Sequence, residues 1–333
     1  MNIIIPMAGR GTRLRPHTLT VPKPLLPIAG KPIVQRLVED IAAVCDEKID
    51  EVAFIIGDFG DEVPGELMKI AESVGAKGKV FTQDQALGTA HAVLCAKEAL
   101  KGEVIVGFAD TLFKADFALD RSTDGTIWVH KVADPKAFGV VKLNDSGHIT
   151  DFVEKPQDFV SDLAIIGIYY FKDGENLRNE LQYLIDNNIM EKGEYQITNA
   201  LENMKQKGLK FVPGAVEEWM DCGNKNATVN TNTRILELKR SEFTIKLEQF
   251  NGGTEIIEPC YIGENVKIEG SKIGPYVSIG DNTTIKNCVI DKTIIQSNSE
   301  LVNIDCTNSM IGNFVKLDGK SRELSLGDYS VQE

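Results

Sequence analysis

The sequence lacks several features that mark common classes of protein. No apolar run approaches the roughly 18 residues that a membrane-spanning helix needs. The opening residues, MNIIIPMAGRG, are too short and too rich in glycine for a secretory signal, so we expect a cytoplasmic protein. The six cysteines include no C-x-x-C pair. That spacing favours reduced thiols over disulfides or a zinc site.

Positive charge and histidine are also scarce. The chain has 49 acidic and 36 basic side chains, a formal net charge of −13. This balance disfavours nucleic acid and anionic membranes as partners. Only four histidines occur, and His148 is the last of them. A histidine general base is therefore excluded from the final half of the chain.

Acidic residues are absent from one stretch, and this absence is informative. Residues 1–38 contain no Asp or Glu, and the first acid is Glu39. The same stretch contains six cations: Arg10, Arg13, Arg15, Lys23, Lys31 and Arg36. Distant carboxylates cannot cancel them, because the screening length at physiological salt is about 8 Å. The opening of the chain therefore predicts a local anion site.

Alternating apolar and amphipathic segments predict an α/β domain over residues 1–240. Strands are expected at 3–5, 51–56, 79–82 and 104–108, with helices at 32–45, 64–74 and 88–100. Pro22, Pro24 and Pro27 predict an extended connection between them. Further strands are expected at 126–132, 138–143, 148–152 and 164–171, and helices at 176–186 and 197–207. We expect a Rossmann-like mixed sheet whose ligand lies at the carboxyl ends of its parallel strands.

The spacing of the aliphatic residues changes after residue 250. Aliphatic residues recur every five or six positions: Ile262, Ile268, Ile273, Ile279, Ile285, Ile290, Ile295 and Leu301. Ile-Gly pairs recur in the same region, and glycine suits the corners of a coil. This repetition is typical of a parallel β-helix and favours it over a β-sandwich. We therefore predict a second domain over residues 250–333.

Glycine and cations are interleaved directly after the first predicted strand. The segment reads Gly9-Arg10-Gly11-Thr12-Arg13-Leu14-Arg15-Pro16 and is followed by Lys23-Pro24-Leu25-Leu26-Pro27. Glycine lets backbone N–H groups approach a phosphate, and Arg can bind it through two parallel hydrogen bonds. The segment matches neither the P-loop nor the dinucleotide-binding glycine pattern.

With its downstream motifs, residues 1–240 resemble the sugar-1-phosphate nucleotidylyltransferases, or NDP-sugar pyrophosphorylases. The tail resembles the hexapeptide left-handed β-helix that several members carry. The matching segments are Gly9–Pro16, Lys23–Pro27, Gln83 with Leu87-Gly88, Phe108–Asp110, Phe138–Val140, Glu154–Pro156, Gly167–Tyr169, Gly193-Glu194 and Trp219–Gly223. Several motifs in the family's order make the resemblance specific.

The resemblance implies a role for each matching residue. The nucleotide would be bound by Ala8, Gly9, Gly11, Thr12, Gln83 and Gly88. Arg13 would hold the β- and γ-phosphates and Lys23 the α-phosphate. The sugar phosphate would contact Gly139, Glu154, Lys155 and Gly167. Asp110 and Asp221 would hold Mg²⁺, which prefers carboxylate and phosphate oxygens.

The expected reaction joins an NTP to a sugar-1-phosphate and releases pyrophosphate. The attacking phosphate is already ionised near pH 7, so catalysis reduces to positioning and charge neutralisation. We take Arg13, Lys23, Asp110 and Lys155 as the catalytic set. Ala8 and the run Gln83…Leu87-Gly88 resemble uridylyltransferases, whereas Lys23–Pro27 suits thymidylyl- and guanylyltransferases. The base stays open between uracil and thymine, with guanine less favoured, and glucose-1-phosphate is the default sugar.

Two alternatives remain open. A catalytically silent regulatory subunit would be expected to lose some of Arg13, Lys23, Asp110, Lys155 and Asp221, and all five are present. In a bifunctional enzyme the β-helix would be an acyltransferase, but such domains typically use a histidine base. We therefore expect the tail to serve assembly or regulation in a homo-oligomer.

Overall fold

A computed structural model describes residues 1–115, 119–245, 250, 253–319 and 323–332. Its helices are α1 (Ile33–Val44), α2 (Val63–Ser73), α3 (Thr89–Cys95), α4 (Gly174–Asp186), α5 (Ile197–Gln206) and α6 (Lys225–Leu238). Strands before α6 are β1 (Asn2–Pro6), β2 (Pro27–Ile28), β3 (Lys31–Pro32), β4 (Glu51–Ile56), β5 (Lys77–Thr82), β6 (Val104–Gly107), β7 (Thr111–Lys114), β8 (Gly125–Lys131), β9 (Gly139–Leu143), β10 (Ile149–Glu154), β11 (Leu163–Phe171), β12 (Phe211–Ala215) and β13 (Glu218–Asp221).

After α6 the described residues form a 3₁₀ turn at Arg240–Glu242 and then short strands. They are β14 (Glu255–Ile256), β15 (Cys260–Ile262), β16 (Lys267–Glu269), β17 (Lys272–Ile273), β18 (Val277–Ile279), β19 (Thr284–Lys286), β20 (Val289–Ile290), β21 (Ile294–Ile295), β22 (Glu300–Val302), β23 (Asp305–Cys306), β24 (Met310–Ile311), β25 (Lys316–Asp318), β26 (Ser325–Leu326) and β27 (Val331–Gln332).

The chain divides into two compact units. The first unit comprises Met1–Gly9 and Gln35–Trp219, and the second comprises Arg10–Val34 and Met220–Glu333. The segment that carries Arg13 and Lys23 thus groups with the tail. The domain bounds 1–240 and 250–333 stay a prediction. Of the second range, residues 251, 252, 320–322 and 333 lie outside the described part of the chain.

A mixed sheet forms the centre of the first unit, as the sequence predicts. Its main strand order is β10-β9-β11-β6-β1-β4-β5, and β8 pairs with both β11 and β12. Strands β6, β1, β4 and β5 are parallel, and β11 runs antiparallel to β6. The central strands are continuous apolar runs because helices cover both faces of such a sheet. Ile3, Ile4 and Ile5 in β1 are fully buried.

Local signals explain where several helices begin and end. The Asp173 side chain accepts a hydrogen bond from Asn176 N at the start of α4, and Asn224 caps α6 in the same way. The helix predicted over residues 88–100 ends earlier, at Cys95. The extended connection predicted at Pro22 and Pro24 was wrong in part, because residues 23–25 form a 3₁₀ turn. Proline's fixed φ fits the first turn of a helix.

The second unit contains the predicted β-helix. Its short strands form three parallel sheets, with the strand orders β14-β17-β20-β23, β15-β18-β21-β24-β26 and β16-β19-β22-β25-β27. The repeating aliphatic residues from Ile268 to Leu301 are buried in its core, and Ile262 packs against them. The six-residue period therefore predicted the coil correctly; the left-handed sense stays a prediction. Within the described residues, no helix combines the length and apolarity needed to span a bilayer.

Candidate active site

In the first unit, predicted site residues collect at the carboxyl ends of the parallel strands. β1 and β6 are parallel neighbours, so Ala8 and Gly9 after β1 lie at the same sheet edge as Asp110 after β6. Gln83 follows β5, and its backbone N–H donates to Ile56 O at the end of β4 over 2.8 Å. The predicted ligand edge of the sheet is thus occupied by nucleotide-binding and metal-binding candidates together.

The backbone at Ala8 and Gly9 is open on one side and packed on the other. A Cβ placed on Gly57 would lie 3.2 Å from Ala8 O, so the chain after β4 comes close to Ala8. A Cβ on Gly9 would meet no described atom within 4 Å. The exposed backbone of Gly9 therefore leaves room for a ligand to approach its N–H group.

Gln83 is held in place by two neighbours. Its amide nitrogen Nε2 donates to Gly88 O over 3.2 Å and to His91 Nδ1 over 3.0 Å. Burial lowers the pKa of His91, which keeps the ring neutral so that Nδ1 can accept. Both hydrogen bonds use the amide nitrogen, so the Gln83 side-chain oxygen is oriented away from these two partners.

Gly88 cannot be replaced without strain. Its φ of +109° and ψ of 179° lie in a region that is essentially restricted to glycine. A Cβ there would stand 2.5 Å from Tyr195 O and 2.8 Å from Tyr195 N. The Tyr195 carbonyl accepts from Ala90 N, and Tyr195 N donates to Leu87 O. Gly88 therefore lets the start of α3 pack directly on the chain before α5.

The sugar-side candidates meet where β9 and β10 pair. Gly139 and Glu154 are register partners, and a Cβ on Gly139 would lie 3.1 Å from Glu154 Oε2. Thr198 donates its hydroxyl hydrogen to Glu154 Oε2 over 3.3 Å. Glu154 Oε1 pairs with Lys155 Nζ at 3.3 Å. Lys155 has a φ of +42°, and its carbonyl accepts from Lys192 Nζ over 2.9 Å.

Gly167 and Tyr169 connect this group to Asp110. Gly167 O accepts from Phe108 N over 3.0 Å, and a Cβ on Gly167 would stand 3.3 Å from Phe108 Cβ. Asp110 lies in the turn that follows. Burial raises the pKa of Tyr169, and the negative charges of Glu154 and Asp110 raise it further. Both carboxylates therefore act on one buried phenol, which places them in the same part of the first unit.

The second unit holds the remaining phosphate-side candidates. Thr12 and Arg13 lie in a 3₁₀ turn and are exposed, whereas Lys23 is buried. Gly11 has a φ of +60°, and a Cβ there would lie 2.7 Å from Lys23 Cβ. Thr18 donates its hydroxyl hydrogen to Gly11 O over 2.8 Å. Glycine at position 11 thus allows the turn with Arg13 to pack on Lys23.

Asp221 ends β13 just before α6. Gly223 N donates to Asp221 Oδ1 over 2.9 Å, and Thr231 donates its hydroxyl hydrogen to Asp221 O over 2.8 Å. A Cβ on Gly223 would stand 2.9 Å from both carboxylate oxygens. Glycine at this position therefore preserves the space beside the carboxylate.

Several supporting side chains were not predicted from the sequence. Thr198 is 4% exposed and holds Glu154, and Lys192 holds the backbone of Lys155. Trp219 and Phe138 both belong to segments that the sequence singled out, and their edge-to-face packing, with ring centroids 5.0 Å apart, was not predicted. The one signal for Thr198 is its place in the first turn of a predicted helix. Such polar residues usually cap helices, so the sequence offers no reason to link it to Glu154.

Asp110 and Asp221 are the candidate carboxylate donors for a metal ion. Across the described ranges, no group of three or more His, Cys, Asp or Glu side chains could hold a metal ion. Magnesium usually takes one or two protein carboxylates and completes its shell with substrate phosphates and water. Single carboxylates at Asp110 and Asp221 fit that pattern.

The fold defines a class of protein: an α/β domain with a mixed sheet, which carries candidate site residues at the carboxyl ends of its parallel strands, together with a β-helix. Residues 2–237 match the family model described as nucleotidyl transferase, and the chain belongs to this family.

Similar proteins extend over both units. A glucose-1-phosphate thymidylyltransferase from Streptomyces antibioticus is 30% identical over 363 residues, covering 100% of this chain and 99% of the relative. A bifunctional protein GlmU from Methanococcus maripaludis is 32% identical over 253 residues, 74% of this chain and 57% of the relative. The solved structure of a UDP-glucose pyrophosphorylase with UDP-glucose has a TM-score of 0.59 at 22% identity, over 72% of this chain and 99% of that one. This last likeness concerns the fold alone.

Proposed function

We propose that the protein transfers a nucleotidyl group from an NTP to a sugar-1-phosphate, giving an NDP-sugar and pyrophosphate. One observation carries the proposal: the nucleotide-side candidates Ala8, Gly9 and Gln83 share a sheet edge with Asp110. Membership of the nucleotidyl transferase family and the thymidylyltransferase relative support it. A silent subunit is disfavoured because each expected charged residue is present.

On the nucleotide side, the backbone of Ala8, Gly9 and Gly11 binds the nucleotide, and Thr12 and Gly88 line its site. The Gln83 amide nitrogen is already used within the protein, so the Gln83 oxygen accepts the N3–H of a pyrimidine base. Uracil and thymine present the same N3–H, and this contact supports UTP or dTTP equally.

The phosphates call for cations. Arg13 binds the β- and γ-phosphates with its guanidinium fork, and Lys23 binds the α-phosphate as a compact charge. Asp110 and Asp221 are the carboxylates that would hold Mg²⁺. When bound, the ion would neutralise phosphate charge during the transfer.

The sugar phosphate binds beside Gly139. Glu154 accepts hydrogen bonds from the sugar hydroxyls, and its position is fixed by Thr198 and Lys155. Lys155 binds the sugar phosphate, and its left-handed backbone is tied down by Lys192. Gly167, the remaining sugar-phosphate candidate, packs closely on Phe108 just before the turn that carries Asp110. Glucose-1-phosphate is the default substrate.

The reaction is an in-line attack of a sugar-phosphate oxygen on the α-phosphorus, with pyrophosphate as the leaving group. The nucleophile is ionised at neutral pH, so no side chain must remove a proton from it. Arg13, Lys23 and Lys155 bring two polyanions together and neutralise charge that builds up during transfer. Catalysis therefore rests on positioned cations.

The decisive experiment measures pyrophosphate release with ATP, GTP, CTP, UTP and dTTP against several sugar-1-phosphates. Asp110→Asn and Lys23→Ala should abolish turnover while circular dichroism and thermal unfolding stay near wild type. Asp145→Asn, in an exposed turn, is the matched control and should remain fully active. Release with no substrate pair would refute the proposal, and turnover by Asp110→Asn would refute that residue's role.

Removal of divalent metal checks the cofactor separately. EDTA should stop pyrophosphate release, and added Mg²⁺ should restore it. Cys45, Cys95, Cys260, Cys288 and Cys306 are free thiols, which fits the cytoplasm as the compartment in which we propose that the enzyme acts. A homo-oligomer stays a prediction, and sedimentation velocity would measure it.

A further inference from the structure

The phosphate-side segment Arg10–Val34 is built onto the β-helix. All its contacts described below lie within the second unit. We propose that the terminal coil of the β-helix, through Ser325, Gly327 and Asp328, is a positioning element for the nucleotide-binding segment, so that NTP binding and the order of this coil are coupled. The inference rests on the proposed roles of Arg13 and Lys23.

The contact between segment and coil is close and partly buried. His17 is 1% exposed, and its Nε2 shares a hydrogen bond with Ser325 Oγ at 3.3 Å. Thr20 donates its hydroxyl hydrogen to Asp328 Oδ2 over 2.6 Å. A Cβ placed on Gly327 would lie 2.9 Å from Pro16 Cβ. Residues 16–20 therefore rest directly on the last coil.

At Gly327, Pro16 occupies the place that the backbone of the next coil takes at the equivalent glycines of earlier coils. In three earlier coils, a Cβ on the corresponding glycine would meet the backbone of the next coil: Gly263 at Asp281 N, Gly280 at Ser297 N and Gly312 at Asp328 N, at 2.6–2.9 Å. At Gly327 the facing atoms belong to Pro16 instead. Within the described residues, β26 and β27 each pair on one side only. Solenoids need a cap at such an end, and Pro16 supplies part of it.

The two carboxylate oxygens of Asp328 make different hydrogen bonds: one recurs in the β-helix and the other does not. Its Oδ1 accepts from Asn313 N over 2.7 Å, as Asp281 Oδ1 accepts from Glu264 N over 2.8 Å in an earlier coil. That bond belongs to the repeat. The second oxygen of Asp328 accepts from Thr20, which lies outside the repeat. Thr20 can therefore be changed without removing the bond that forms the coil's corner.

The segment is anchored a second time beyond Lys23. Ala29 N donates to Asn232 Oδ1 over 2.9 Å, and Ser278 donates its hydroxyl hydrogen to the same oxygen over 2.7 Å. A Cβ on Gly30 would overlap the ring of Tyr261. Lys23 thus lies in a segment fixed to the β-helix unit on both sides. Gly11 packs on Lys23 and is tied to Thr18, next to His17.

The proposal makes a specific kinetic prediction. Gly327→Ala should push Pro16 away and raise the KM for UTP or dTTP roughly fivefold or more, while the KM for the sugar phosphate stays within twofold. Thr20→Val should raise the nucleotide KM by a smaller factor. Thr20→Ser retains the hydroxyl group and should restore the wild-type nucleotide KM. A purely steric effect at this position would not require that recovery.

A matched control and a reciprocal measurement complete the test. Thr307→Val removes another threonine-to-aspartate hydrogen bond on the β-helix, to Asp291, and should leave both KM values unchanged. By linkage, UTP or dTTP with Mg²⁺ should slow hydrogen exchange in residues 323–332 of the wild type. Thr20→Val should reduce that protection.

Two results would overturn the inference. One is a nucleotide KM that stays within twofold of the wild-type value in both Thr20→Val and Gly327→Ala. If Gly327→Ala does not fold, the result for Thr20→Val alone decides. The other is unchanged exchange in residues 323–332 at saturating nucleotide. Calorimetric binding of UTP and dTTP separates this failure from failure of the proposed reaction. If nucleotide binds and slows hydrogen exchange but no pyrophosphate is released, the proposed reaction is refuted. The coupling between nucleotide binding and the last coil is then still supported.

Discussion

Thr198, in the first turn of α5, donates its hydroxyl hydrogen to Glu154 Oε2 across 3.3 Å. The two residues are far apart in sequence, and the threonine is buried. Since Lys155 Nζ occupies the other carboxylate oxygen, Glu154 is held from two sides at the edge of β10. A carboxylate fixed in this way can present a set orientation to sugar hydroxyls.

Thr198→Val should therefore weaken sugar-phosphate binding. Loss of a hydrogen bond to a charged group is worth about 1.5–3 kcal/mol, so the sugar-phosphate KM should rise roughly tenfold. The nucleotide KM should stay near wild type, and initial rates with each substrate varied in turn would measure both values. Thr126→Val is the control, because the buried Thr126 hydroxyl has no hydrogen-bond partner in the described structure. Equal sugar-phosphate KM values for Thr198→Val and wild type would show that Thr198 does not support sugar-phosphate binding.

Gly88→Ala should destabilise the first unit severely. The methyl group would collide with the backbone of Tyr195, in addition to the strain of a φ of +109°. Gly60→Ala separates the two effects, since Gly60 has a φ of +81° but no described atom within 4 Å of a Cβ. We expect a cost of about 1 kcal/mol for Gly60→Ala and several times that for Gly88→Ala. Urea unfolding measures both, and equal costs would argue against the collision.

The buried His17 should make the free energy of unfolding depend on pH in the acid range. Burial lowers its pKa from 6.5 to about 4, opposed by Asp328 and assisted by Lys225. Between these values the unfolded chain binds a proton that the native protein does not, so stability rises with pH across this window. The shift corresponds to a loss of about 3 kcal/mol on acidification from pH 6.5 to 4.

The measurement compares urea unfolding of wild type and His17→Gln from pH 4 to 7.5. The variant should lack this part of the slope, and the difference between the two proteins should be constant above pH 7. Parallel curves over the whole range would show that His17 does not titrate in this way.

The β-helix should lack acyltransferase activity. No histidine follows His148, so the tail has no imidazole to serve as a general base, an effect worth about 10²–10⁴ in rate. The purified protein given acetyl-CoA and a hexosamine phosphate should release no free CoA, as followed with a thiol reagent. Pyrophosphate release by the same preparation is the positive control. Clear CoA turnover would favour the bifunctional alternative, to which the GlmU relative points.

Elements with a regular period could be predicted from the sequence. The alternation of apolar runs and helices gave the α/β unit, and the aliphatic period of five or six gave the β-helix, because both periods follow from backbone geometry. Motif residues such as Asp110 and Glu154 could also be located in the fold, since Asp110 follows a recognisable strand and Glu154 ends one. The 3₁₀ turn at Lys23 was not predictable, because its prolines are compatible with both extended and turn conformations.

The sequence by itself determined the two architectures, the acid-free basic opening and the set of candidate residues. Only the tertiary structure decided which distant residues support them: Thr198 on Glu154, Tyr195 against Gly88, and the last β-helix coil under Pro16 and Thr20. The reason is physical. Period and propensity act between near neighbours along the chain, whereas these contacts depend on how separately formed elements pack. That packing joins the basic segment, which begins the chain, to the β-helix coil near its end.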